Sequence, residues 1–439
     1  MASIGVIIPV YNKSAYLEKL AAGLRRQTFR DFCCVFVDDG STDGSGEILD
    51  KLAGEAFETE TGRTVADGGV LVLHTENHGV SAARNRGMEE ACGRFCCRYL
   101  TFIDADDAIA PDYLERLFAL IRRGDADLAM IGYRKVRDTG TVPAGESASD
   151  SGTVPAGEGR TGDSGTGHAG EGSTGDSGTG HAGEGSTGDS GTGHAGKGST
   201  GDSGTGHAGD ESASDAGARH NGAASGEDVI LPFQDGILDR DSFYRTFARV
   251  QAETGFYGCV AAKIFPAELA DGIRFDESLT LAEDLDFYLR LYRRVKNIRY
   301  EAKPGYFYLQ NAENSTALTS DREIDYEAQI RILLSMKAFL TEGGAWSGEN
   351  RDIIEKRIGD YAYFALFHAD LEESRDAFAK VCGRIRAVCR AESIDIAKGA
   401  GPLRKLLGKA AESGSPVAIG TAKAALAGRR WLGRLRHRS

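Results

Sequence analysis

The chain reads as an α/β protein built on a doubly wound, mainly parallel sheet. Two patterns predict this. Short β-branched or apolar runs alternate with amphipathic helical stretches between Ile4 and Tyr133, and polar clusters fall directly after several of those runs. A Gly-rich insertion and a wholly helical C-terminal region complete the expected organisation.

Buried strands are predicted at Ile4 to Val10, Cys33 to Val37, Val70 to Leu73, Tyr99 to Ile103 and Leu128 to Tyr133, each bounded by turn residues. Between them, helical spacing places Leu17, Leu20 and Leu24 after Ser14, and Ile48, Leu49 and Leu52 after Asp43. Further helices run from Ala82 to Cys92 and through Leu114, Leu117, Phe118 and Ile121 after Pro111. Beyond Asp284 a helix is expected through Leu285, Phe287, Tyr288, Leu291 and Tyr292, then strands at Ile298 to Tyr300 and Tyr306 to Leu309. After Asp321 apolar residues recur at three- and four-residue spacing, over 324–340, 353–367 and 377–388 and in the closing segment.

From Thr139 to Gly226 there is no aromatic residue, and Val142 and Val154 are the only large aliphatics. Such a segment cannot offset its ordering entropy, so disorder is predicted. Gly-Asp-Ser-Gly-Thr-Gly-His-Ala-Gly begins at Gly162, Gly175, Gly188 and Gly201, a repeat with no apolar face to stack; its His168, His181, His194 and His207 read as passengers of duplication, with loose metal binding as the alternative. The expected organisation is therefore 1–138, the insertion 139–227, 228–320, and the helical region 321–439.

The stretch 139–226 holds twelve acids against Arg160, Lys197 and Arg219, a net of −9 out of the chain's formal −13. The mildly acidic remainder argues against nucleic acid as a partner. Eight cysteines without a C-x-x-C pair read as reduced packing residues of a cytoplasmic protein. The N-terminal run lacks the basic flank of a signal peptide, and no stretch is long enough to span a bilayer. Lys398 to Ser439 sets ten Lys and Arg against Glu412, with Leu403, Leu406, Leu407, Trp431, Leu432 and Leu435 interleaved. Such an element suits the anionic inner face of a membrane, and equally a solvated, frayed C-terminus.

The chemistry concentrates where strands end. Leu100 to Ile103 runs into Asp104-Ala105-Asp106-Asp107. Asp104 and Asp106 lie two apart, so in extended chain both point the same way and offer hard oxygens to Mg²⁺ or Mn²⁺ together with substrate phosphates. A solvated turn of capping acids is the bland reading of the same residues, and Asp107 suits a cap of the following turn. Tyr11-Asn12 and Asp38-Asp39-Gly40-Ser41-Thr42-Asp43 follow two other strands, so three strand ends converge on one rim. Ser81 begins a helix with Arg84 one turn in, able to meet a diphosphate or simply to sit on an exposed face. Glu283 and Asp284 open a later helix, where a carboxylate suits either a proton acceptor or a helix cap.

Ile7-Ile8-Pro9-Val10-Tyr11-Asn12, Val37 to Asp43, Asn77 to Gly87, Phe102 to Asp107 and Glu283-Asp284, in this order and spacing, resemble glycosyltransferase family 2. The resemblance implies a GT-A fold over Ile4 to about Thr316, outside the insertion. It implies that Pro9, Tyr11, Asn12 and Asp39 cradle the nucleoside and that Asp104 bonds the nucleoside or shares the ion. It further implies Asp106 as the metal ligand, Arg84 near the diphosphate, and Asp284 as general base with Glu283 as substitute. Lys263 occupies a place where similar proteins commonly carry lysine, facing acceptor or phosphate. Tyr308-Leu309-Gln310-Asn311 departs from the more basic stretch many relatives have there. The implied activity is inverting transfer of a sugar from a nucleotide diphosphate donor, a UDP-sugar, to a hydroxyl of a surface glycan or lipid-linked acceptor. Two rivals stand beside it. A nucleotidyltransferase would want a Gly-rich loop after the first strand, where Pro9 to Asn12 has none, and a non-catalytic scaffold would not need Glu283 and Asp284.

Overall fold

The computed structural model describes residues 2–54, 69–124, 126–137, 227–233, 235–279, 281–310, 326–371, 375–394 and 401–436. Its strands are β1 (Ile4–Val10), β2 (Phe32–Asp39), β3 (Val70–Thr75), β4 (Tyr99–Phe102), β5 (Ala108–Ile109), β6 (Leu128–Arg137), β7 (Glu227–Val229), β8 (Gly236–Asp239), β9 (Lys263–Pro266) and β10 (Asn297–Gln310). The helices are α1 (Ser14–Arg25), α2 (Ser45–Gly54), α3 (Val80–Gly93), α4 (Tyr113–Ile121), α5 (Arg240–Thr254), α6 (Glu283–Tyr292), α7 (Tyr326–Glu342), α8 (Gly348–Leu371), α9 (Arg375–Glu392), α10 (Pro402–Ser413) and α11 (Pro416–Arg436).

One sheet runs in the order β3-β2-β1-β4-β9-β6-β10-β5, with β7 beside β6 and β8 beside β10. β1 pairs in parallel with β2 on one side and β4 on the other, so the strand order reverses there. That reversal opens a crevice at the carboxyl ends of the strands, where ligands of open α/β sheets bind. Every residue of β1 and β2 is buried, as expected of parallel strands covered on both faces. Short β9 runs antiparallel between β4 and β6, and this leaves β6 and β10 pointing the same way as β1.

Two features differ from the sequence reading. The two strands expected at 298–300 and 306–309 are one, β10, interrupted by a register shift between Glu301 and Tyr306. Gly132 on β6 makes that bulge possible, because a Cβ there would lie 2.2 Å from the Ala302 carbonyl oxygen. Arg116 of α4 holds the bulge by bonding Glu301 and the carbonyls of Lys303 and Pro304. β8, α5 and β9 were not foreseen: β8 and β9 are only four residues long, and α5 buries Phe243, Tyr244, Phe247, Ala248 and Val250. The expected insertion lies outside the described residues, apart from Glu227. Its flanks pair in antiparallel register, Tyr133 with Val229 and Lys135 with Glu227, so its point of exit and return is fixed on the sheet.

The helical C-terminal region packs onto α5 and α6 through aromatic rings. Tyr244 of α5 stacks on Phe339 of α7 with centroids 4.5 Å apart, and Phe243, Phe247 and Tyr292 complete the cluster. Buried Asn350, in the first turn of α8, donates to the Tyr244 carbonyl (2.8 Å) and accepts from the Ala248 amide (3.0 Å). These two backbone groups are an i, i+4 pair of α5, so the amide splices α8 into the α5 ladder. Among the described residues no helix is long and apolar enough to cross a membrane. The side chains of 429–439, which carry half of the basic tail, lie outside the described residues. Asn350→Ala is expected to lower unfolding stability by about 1–3 kcal/mol, read as a fall in the urea midpoint with the m-value unchanged.

Candidate active site

The loops that follow β1 and β2 are stitched together by their own polar side chains. Asn12 has a positive φ of 52°, accepts from the Thr42 amide (2.8 Å) and donates its own amide to Ser41 Oγ (3.0 Å). The Lys13 amide donates to Ser45 Oγ and the Ser14 amide to Asp43. Burial opposes ionisation of Asp43, but bonds from Ser45 and Ser14 outweigh it and hold the carboxyl at about 2. Asp38 accepts from the Ser41 amide and meets His74 Nδ1 at 2.9 Å, while His74 Nε2 meets Asp50 at 3.0 Å. The two acids, Asp50 first, raise the imidazole above its ordinary value.

Asp39 is buried and both its oxygens are engaged, by the amides of His78 and Gly79 at 2.8 Å each. Its contacts therefore anchor the loop into α3. Pro9 is buried within β1, whereas Tyr11 is 48% exposed at the rim.

Helix α3 lies close on β1 because position 87 is glycine: a Cβ there would stand 2.5 Å from Ile7. This seating carries Arg84 inward. Its guanidinium, 6% exposed, bridges Glu283 (2.9 Å) and Asp104 (3.1 Å) and lies over the Phe275 ring. Burial disfavours the charge, yet Asp104, Glu283 and Asp284 outweigh burial and raise the group above its usual value. Arg84 was expected beside a diphosphate; the structure instead gives it two carboxylates from opposite walls of the crevice. Its Nε and the Ser81 hydroxyl are buried without a hydrogen-bond partner.

Three neighbouring acids meet three environments. Asp104 pairs with Arg84, and Asp106 pairs with Lys13 at 2.6 Å. Asp107 is buried, accepts from the Tyr306 hydroxyl and the Leu309 amide, and is pushed well above the usual carboxylate range by burial and by Asp104 and Asp106. The expectation that Asp107 caps the next turn is corrected: its carboxyl ties the loop to β10. Tyr306, which the bulge brings to this point, also accepts from the Asp104 amide (3.1 Å).

Ala282 enters α6 at a positive φ of 59°, a strained turn that presents Glu283 and Asp284 to the crevice. Burial and the neighbouring Glu283 raise Asp284 to about 7, against opposing pulls from Arg84 and Lys263. Lys263 is the second correction. It does not face acceptor or phosphate: fully buried, its ammonium donates to the carbonyls of Phe256 and Cys259 and lies over the Phe256 and Tyr288 rings. Burial lowers it to about 8. Sequence reading missed Lys13, His74 and Tyr306, which carry no local motif.

Asp104 and Asp106 suit a hard cation, being partly exposed oxygen donors at a strand end. Among the described residues no group of three His, Cys, Asp or Glu converges, so water and phosphate oxygens would complete the shell. Mg²⁺ and Mn²⁺ tolerate this arrangement.

These acids gather at a sheet switch point, with a basic side chain at each wall. Residues 5–158 match the profile of Glycosyl transferase family 2. Glycosyltransferase GlyA of Streptococcus pneumoniae is 39% identical over 130 residues, 30% of this chain and 16% of that protein. Glycosyltransferase GlyG of the same organism is 37% identical over 131 residues, 30% of this chain and 38% of its own length. The match thus spans well under half of either relative. The fold also resembles S. aureus TarS 1–349 in complex with UDP-GlcNAc, with a TM-score of 0.52 and 16% identity over 98% of this chain and 92% of that one. This confirms the GT-A architecture.

Tyr306→Phe removes the donor to Asp107 and the acceptor for the Asp104 amide. Loss of about 1–3 kcal/mol of stability is expected by denaturant unfolding.

Proposed function

We propose that this chain is a metal-dependent, inverting glycosyltransferase that moves a sugar from a nucleotide diphosphate donor, a UDP-sugar, to a hydroxyl of a surface glycan or lipid-linked acceptor. The observation that carries the reading is the gathering of Asp104, Glu283 and Asp284 around Arg84 at the switch point of the sheet, with Asp106 two residues from Asp104 and paired with Lys13. The names of the pneumococcal relatives and the UDP-GlcNAc complex of TarS support it.

Asp106, with Asp104, would hold Mg²⁺ or Mn²⁺, which when bound supplies charge compensation for the departing diphosphate. Asp284 accepts the proton of the attacking hydroxyl. A base raised to about 7 matches an operating pH near neutrality, where both its ionised fraction and its basicity are useful. Arg84 holds Glu283 beside it, so that a single carboxylate of the pair is open to a proton. Tyr11, Asn12 and Asp39 would line the nucleoside side. Asp39 retains lone pairs beyond the two amides it accepts from. The basic stretch from Lys398 onward, with Lys405 and Lys409 exposed on α10, would suit an anionic membrane face bearing a lipid-linked acceptor.

Thermal-shift measurements with nucleotide sugars, each with and without Mn²⁺, test the class. One UDP-sugar should stabilise the protein only with metal, whereas stabilisation by none overturns the proposal. For the base, turnover should rise with pH through about 7, and Asp284→Asn should abolish turnover. Stability has the opposite sign. A folded-state pKa raised above the unfolded carboxylate's means that the native state binds more protons between about 4 and 7, so stability falls across that window as pH rises. Asp284→Asn should flatten this fall in a pH series of unfolding midpoints.

A further inference from the structure

The crevice holds two acids of the metal rim and two cations, paired one to one, and the two pairs are built differently. Arg84 is 6% exposed, bonds acids on two separate elements and packs on Phe275. A planar guanidinium in that setting is a fixed strut. Lys13 and Asp106 are 19% and 22% exposed, and each is the other's ion-pair partner. The Lys13 backbone is pinned by Ser45 Oγ, and Asn12 before it by Ser41 and Thr42, so only the flexible four-carbon stem is left to move.

We propose that Lys13 is a resident counter-cation of Asp106: it neutralises the carboxylate before ligand arrives, yields it to a divalent ion, and then turns its ammonium to the donor's diphosphate. The inference rests on the reading of Asp106 as a metal ligand. Two cations cannot share one carboxylate oxygen without mutual repulsion, so the ammonium must leave Asp106 when a divalent cation coordinates it. A lysine stem pivoting from a pinned backbone stays within a few ångströms of the rim, where the newly arrived negative charge is the diphosphate. Lys13 is thus a positioning residue before binding and a phosphate contact after it.

The test measures Mn²⁺ binding to the full chain without nucleotide, by the loss of the electron paramagnetic resonance signal of free Mn²⁺, and then UDP binding at saturating Mn²⁺ by calorimetry. Lys13→Met should bind Mn²⁺ alone about three- to fivefold more tightly than the parent, the scale of a partly exposed ion pair, and should bind UDP with Mn²⁺ more weakly by a similar factor. Lys13→Arg, whose fork grips a carboxylate better, should bind Mn²⁺ alone more weakly than the parent. Unchanged or weaker Mn²⁺ binding by Lys13→Met, while Asp106→Asn abolishes it, overturns the role of Lys13 and leaves the metal site standing. Mn²⁺ binding by Asp106→Asn equal to that of the parent overturns the metal site itself, and the Lys13 proposal with it.

Discussion

A buried guanidinium organises this site. Arg84 joins the loop after β4, through Asp104, to the start of α6, through Glu283, and does so from α3. A cation this far from water is costly unless compensated, and two carboxylates within hydrogen-bond distance provide that compensation. The relation runs both ways, since Asp104, Glu283 and Asp284 would repel one another across the crevice without it. The seating of α3 is therefore set by packing at Gly87 on one side and by charge on the other.

Around this strut, neighbouring acids acquire different chemistry from their surroundings alone. Asp106 meets an ammonium near the surface, Asp104 a fixed guanidinium, and Asp107 a tyrosine hydroxyl and an amide inside the protein. Burial separates Asp284 from its neighbour Glu283 in the same manner: one is raised towards neutrality, while the other is held in an ion pair. Acid–base roles in such a site follow from which carboxylates are compensated and which are not.

The scaffold supplies the positions. The reversal of strand order beside β1 opens the crevice, and the register shift in β10 carries Tyr306 to the loop after β4. Positive φ at Asn12, Ala262 and Ala282 places strained backbone next to site residues or to Lys263. Lys263 supports the scaffold by gathering the carbonyls of the 256–261 turn beneath α6, which explains a lysine inside the core.

The alternation of apolar runs and helical spacing sufficed to place β1 to β4, β6, α1 to α4 and α6, because buried parallel strands and amphipathic helices write their own period into the chain. The acid clusters were also legible, since a run of carboxylates after an apolar strand is a local signal. Pairing was not. Arg84 with Glu283 spans 199 residues, Tyr306 with Asp107 also 199, and Lys13 with Asp106 spans 93. A lysine after Tyr11-Asn12 or inside Ala262-Lys263-Ile264 has the same local signature whether it faces ligand or core. Only the fold, by deciding which strand ends meet and which side chains lose water, determined that Lys13 stands at the rim and Lys263 lies within.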